Sequence, residues 1–156
     1  MRKNKEWKRL QTVVVKFGGP MLATTEKIVQ IAKKVIKEQG RGINLVVVVS
    51  SMTSIRQNLR QFAAEITHEP SKREMDALIS TGAQITSVLL ALAIQEHGGK
   101  AVSLAGWQAG IQTNEKYGNA RIDSIVNKRF EKHFELGEIV VVSGFQGITY
   151  TDNIST

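Results

Sequence analysis

Cysteine is absent from this 156-residue chain. That excludes a disulfide framework, a thiolate nucleophile and a thiolate-ligated metal within it. Proline occurs only at Pro20 and Pro70, so few positions force a break in a helix or strand. Histidine is equally sparse: His68, His97 and His133 are far apart, show no metal-ligand spacing, and read as surface or helix-end residues. No long hydrophobic run is present. The longest stretch, Ile85 to Ile94, is interrupted by Thr86 and Ser87 and is too short to span a bilayer. No apolar signal core follows the charged N-terminus. The expectation is a cytoplasmic protein with no membrane partner and, by length, a single domain with a sizeable core.

Charge is present and unevenly spread. The net charge is +7, and "MRKNKEWKRL" holds Arg2, Lys3, Lys5, Lys8 and Arg9 against Glu6 alone. Such a segment can meet nucleic-acid phosphates, but a solvated extension over residues 1–11 is the favoured reading, and nucleic acid is not expected as a partner.

The remaining chain alternates strand and helix signals. "TVVVKF" (Thr12 to Phe17) is β-branched and continuously apolar, as a strand covered on both faces requires. Ile28, Ile31, Ala32, Val35 and Ile36 follow with amphipathic helical spacing; Thr24 or Thr25 can cap that helix and Gly40 can end it. "NLVVVVS" (Asn44 to Ser50) predicts a second strand, and a helix is expected from about Ser54 to Thr67. Ser71 and Glu74 form a capping box before a helical pattern over Met75 to Gln95, with a break or bend expected near Ser80-Thr81-Gly82. "KAVSL" is a third strand, Ser124 to Gly137 a helix, and Glu138 to Phe145 a fourth strand. This alternation predicts a parallel sheet with helices on both faces.

Ligands of open parallel sheets collect beyond the carboxyl ends of the strands. Three stretches fall there: Lys16 to Gly19, "SSMTSIR" after the second strand, and "VVSGFQGIT" after the fourth. Glycines let backbone approach a phosphate, and a lysine supplies a full charge beside it. The same residues also make ordinary tight turns and caps, and both readings stand at this level. No carboxylate pair, serine-histidine pairing or metal constellation stands out. That suits phosphoryl transfer, where catalysis is mostly positioning and charge neutralisation; it equally suits a protein that catalyses nothing.

Taken together, "VVVKFGG", "VVVVSSM", "PSKREMDALISTG", "AVSLAGWQAGIQT", "GNARI" and "IVVVSGFQGIT", in that order, resemble the aspartokinases of the amino acid kinase superfamily. The resemblance runs from Thr12 to Thr156. It implies an α/β fold, a three-layer αβα sandwich with a mainly parallel sheet, incomplete at the C-terminus. Residues 12–156 would be the N-terminal part of an amino acid kinase-like domain, without the nucleotide lobe and regulatory domains. The implied reaction is transfer of the ATP γ-phosphate, with Mg2+, to the side-chain carboxylate of L-aspartate, the first step toward lysine, threonine and methionine. The implied nucleotide residues are Lys16, Phe17, Gly18 and Gly19, with Lys16 also catalytic; the implied substrate residues are Ser50 and the positions of Arg56 and Ala83.

Departures accompany the matches. Pro20 and Met21 follow Gly-Gly where the family has a hydroxyl residue and a small one. Arg56 stands at a substrate-contacting threonine and Ala83 at a glutamate. The expectation is therefore a chain inactive by itself. The alternative is a non-catalytic remnant or partner-binding module, self-associating as a homo-oligomer or covered by a complementing chain.

Overall fold

The computed structural model describes residues 11–126 and 128–156; the basic segment 1–10 lies outside the described residues. Four strands, β1 (Thr12–Phe17), β2 (Asn44–Val49), β3 (Ala101–Leu104) and β6 (Ile139–Ser143), form one sheet in the order β1-β2-β6-β3. Every pairing in it is parallel. The four predicted strands are thus the whole of the main sheet, and their carboxyl ends share one rim.

Strand alternation sorts the side chains between two faces. Leu45, Val47, Val49, Ile139 and Val141 point to one side, where α1 (Thr25–Gln39) and α3 (Lys72–Glu96) cover them with Ile28, Ile31, Val35, Leu90 and Ile94. Full burial of such side chains contributes about 1.5–3 kcal/mol each, which makes this the principal core. Val46, Val140, Val142 and Leu104 point to the other side, against Phe130 and Phe134 of α4 (Lys128–Glu135). α4 packs on β6. β1, expected to be covered on both faces, is instead an edge strand open on the α4 side, where Val14 is 63% exposed. α2 (Thr53–Ile66) rests on α3.

The helix caps follow the sequence signals. Thr24 accepts a hydrogen bond from the Lys27 N–H, Ser71 accepts one from the Glu74 N–H, and Gly40 caps α1 by donating to the Ile36 carbonyl. The expected break in α3 does not occur: one helix runs 25 residues through Gly82. In length and composition this helix could cross a membrane, but Asp76, Ser80, Thr86 and Ser87 are buried in it beside apolar neighbours. It is a core helix.

Two further expectations are corrected. The helix expected over Ser124 to Gly137 starts only at Lys128, because Ile122–Ile125 is a strand, β5, paired antiparallel with β4 (Ile111–Thr113). The apolar positions that can bury a helix here are Phe130 and Phe134, so nothing holds its first turns as helix. The fourth strand also stops at Ser143, before Gly144 and Phe145. β4 and β5 join β7 (Gly147–Ile148) and β8 (Ile154–Ser155) in a second sheet, order β5-β4-β7-β8. These strands are two to four residues long and carry little pattern of their own.

Candidate functional site

Because the main sheet is parallel, the segments after β1, β2 and β6 emerge side by side. Phe17 pairs in register with Val49, and Val49 with Ser143. Lys16, one residue earlier, pairs with Val48 and is exposed. By alternation it shares the α4 side of the sheet, whereas Phe17 packs into the α1/α3 core. Only the backbone of Phe17 is therefore at the rim.

Beyond Phe17 the chain makes a tight elbow. Gly18 is extended and Gly19 takes a left-handed conformation (φ 54°), the backbone state that a β-carbon disfavours. A 3-10 turn then runs from Gly19 to Leu22, with the Met21 N–H donating to the Gly18 carbonyl at 3.3 Å. Pro20 fits its first positions, where no N–H is needed for the turn itself. Its carbonyl accepts from Lys27 Nζ at 2.9 Å.

Ser50 lies against this elbow: a β-carbon on Gly18 would sit 3.2 Å from Ser50 Oγ. The next residues are tied to α3, the Met52 N–H donating to Thr86 Oγ1 at 3.1 Å. Arg56 is exposed on α2, its N–H bonded to the Met52 carbonyl, and Ala83 is buried in α3.

The third segment contains the residue that sequence reasoning missed. Phe145 has φ 55° and its ring lies under Lys16, with Nζ 4.8 Å from the centroid. Both neighbours are fixed. The Gly144 N–H donates to the Val49 carbonyl at 2.8 Å. Gln146, buried, donates through Nε2 to the Ser80 carbonyl (2.9 Å) and accepts at Oε1 from the Gly106 N–H and from Gln84 Nε2 (both 3.3 Å). An aromatic residue between two glycines was the available signal; the glycines alone drew attention.

Asp76 was also missed. It is 3% exposed and accepts from the N–H groups of Gly118 (2.9 Å) and Thr156 (2.8 Å) and from Thr156 Oγ1 (2.5 Å). With Gln146 it hangs the loops beside the rim on α3.

The sequence-predicted residues thus divide. Lys16, Gly18, Gly19 and Ser50 meet at the rim of β1 and β2; Phe17 and Ala83 are turned to interior packing, and Arg56 is on the solvent side of α2. Among the described residues no group of three or more His, Asp or Glu side chains is placed to hold a metal ion. The rim therefore offers an anion the exposed Lys16 ammonium and backbone amides at a glycine elbow.

Comparison with known proteins agrees with this architecture. Residues 11–156 match the amino acid kinase family. The chain is 49% identical over 144 residues to an aspartokinase of Geobacillus stearothermophilus and 46% identical to aspartokinase 2 of Bacillus subtilis; each match covers 92% of this chain and 35% of the relative. The chain thus spans about a third of the length of these curated relatives. Among solved structures, aspartate kinase from Synechocystis superposes with TM-score 0.75 at 37% identity, over 93% of this chain and 23% of that one. Escherichia coli aspartokinase III, in complex with aspartate and ADP, superposes with TM-score 0.77 at 17% identity, over 94% and 43%; at that identity the likeness concerns the fold. On this sequence match and this parallel-sheet fold, the chain belongs to the amino acid kinase family and is related to the aspartokinases.

Proposed function

We propose that the elbow Lys16–Gly19 is a binding site for the phosphates of ATP, in the aspartokinase reaction that carries the γ-phosphate to the side-chain carboxylate of L-aspartate. Lys16 is the catalytic cation that stabilises charge on the transferred group, and the Gly18 and Gly19 amides face the phosphate oxygens. Phe17 contributes backbone only. Ser50 sits where it can contact the transferred group or its acceptor. The acceptor carboxylate is ionised at neutral pH, so no general base is required. Mg2+ enters with the nucleotide phosphates, and among the described residues no group of three or more His, Asp or Glu side chains is placed to hold it independently of them.

The observation that carries this reading is the position of Lys16: an exposed cation at the carboxyl end of a parallel strand, three residues before a glycine in the left-handed conformation. Calorimetric titration of the 156-residue chain with MgATP tests it. Binding that Lys16→Met abolishes is expected; binding equal in both proteins refutes the site.

We further propose that residues 12–156 act as the N-terminal part of a kinase domain, in the cytoplasm, and that this chain by itself does not turn over. Its Pro20, Arg56 and Ala83 depart from the family pattern. Formation of aspartyl phosphate by the purified chain, trapped as a hydroxamate, would overturn that part. A second reading is favoured by the open half of the α4 face. Val14 lies exposed on an edge strand, which suits a module completed by a second copy or a complementing chain. Light scattering that finds only monomer at high concentration counts against self-completion.

A further inference from the structure

We propose that Phe145 is a positioning residue for Lys16: its ring holds the ammonium at the rim while no anion is bound, and an incoming phosphate must draw the lysine away from it. The second half of this statement rests on the phosphate reading above; the first half does not.

The geometry carries the first half. Nζ of Lys16 is 4.8 Å from the ring centroid, inside the range of about 6 Å over which a cation is attracted to an aromatic face. The ring is not there to be buried, since Phe145 is 64% exposed. Its backbone is held at φ 55°, a region that a bulky side chain enters only when its surroundings impose it. They do so from both sides. The Gly144 N–H is bonded to β2, and a β-carbon at that position would sit 3.1 Å from the Val49 carbonyl oxygen. Gln146 is locked by its three side-chain hydrogen bonds. Two rigid neighbours thus force an unfavourable backbone that turns an aromatic ring out toward the lysine.

The nature of the partner decides the consequence. The ion pairs among the described residues join Arg41 to Glu38, Arg73 to Glu74 and His133 to Glu138, so none holds Lys16. A carboxylate partner would cancel the charge of the lysine and compete strongly with phosphate. A ring quadrupole orients the ammonium and leaves its full charge available, so a phosphate oxygen wins the competition. The ring therefore acts as a weak restraint on affinity. Its removal is expected to tighten anion binding about two- to fivefold, the equivalent of about 0.5–1 kcal/mol at 1.4 kcal/mol per factor of ten.

Two measurements on the 156-residue chain test this separately. In the anion-free protein, the Lys16 side-chain methylene protons are expected upfield of ordinary lysine positions through the ring current. Phe145→Leu and Phe145→Gly should return them to ordinary positions, and Phe145→Tyr should keep the shift; glycine also relieves the left-handed backbone, so a folded variant is assured a comparison. Ordinary lysine shifts in the wild-type protein overturn the proposal. Calorimetry with inorganic tripolyphosphate then measures the restraint: Phe145→Leu and Phe145→Gly should bind about two- to fivefold tighter than wild type, and Phe145→Tyr equally. If Lys16→Met abolishes binding while the Phe145 variants bind no tighter, the restraint is refuted and the phosphate site stands. If Lys16→Met changes nothing, the phosphate site fails, and the methylene shifts alone decide whether Phe145 holds the lysine.

Discussion

Gly82, in the middle of α3, faces Ser51 so closely that a β-carbon there would lie 2.5 Å from Ser51 Oγ, 3.1 Å from its Cβ and 3.2 Å from Leu59 Cδ1. The helix keeps its regular course through a residue that disfavours helix by about 1 kcal/mol, because only a bare α-carbon lets the segment after β2 approach. Gly82→Ala should gain that propensity and lose more to overpacking. The expected outcome is a net destabilisation of about 1–2 kcal/mol in urea unfolding. A more stable Ala variant would show that the Ser51 segment yields freely.

Asp76 presents a different dependence. Its carboxylate satisfies two backbone N–H groups and one hydroxyl from segments remote in sequence. Asp76→Ala leaves those partly buried donors without their carboxylate and should cost about 1–3 kcal/mol. Asp76→Asn, which still accepts, should cost less. Hydrogen exchange should report faster exchange at Gly118 and Thr156 in the Ala variant first; protection unchanged at both amides would contradict the tethering role.

Thr24 caps α1 and also acts on a neighbour. The Glu26 carboxyl lies below its ordinary pKa, chiefly because the Thr24 side chain hydrogen-bonds it, with its own backbone N–H adding to the effect. A folded pKa lower than the unfolded one means that the associated stability is present above the ordinary glutamate range and is lost as pH falls through the lowered value. Thr24→Ala should therefore destabilise by about 1 kcal/mol near neutrality through the lost cap, and the difference from wild type should narrow in acid. A gap independent of pH would assign the whole effect to the cap.

Pro20 removes one amide from the elbow that we assign to phosphate. Pro20→Thr restores an N–H and adds a hydroxyl while keeping the carbonyl that accepts from Lys27. Tripolyphosphate should bind about tenfold tighter to this variant, the scale of one added hydrogen bond to a charged group. Unchanged affinity would place the phosphate away from the Pro20 amide.

Much of the fold was legible because its signals are local. The β-branched run "VVVV" marks a buried strand, and the spacing of Ile28, Ile31 and Val35 allows one buried helical stripe. The failures also have local causes. Gly82 resembles a helix break until Ser51 is seen against it, and Ile122–Ile125 has too few residues to declare itself a strand before β4 is there to pair with it.

The sequence by itself determined the four strands of the main sheet, the helices α1 to α3 between them with the caps of α1 and α3, and the presence of a lysine-glycine elbow at the end of the first strand. All of these depend on residues within a few positions of one another, where backbone sterics and side-chain periodicity act directly. Tertiary structure alone decided that Lys16 points to the α4 side and rests on Phe145, that Phe17 and Ala83 face inward, and that Asp76 collects donors from two distant segments. Those relationships join chain segments through packing and hydrogen bonds that exist only once the sheet has assembled, so no local pattern encodes them.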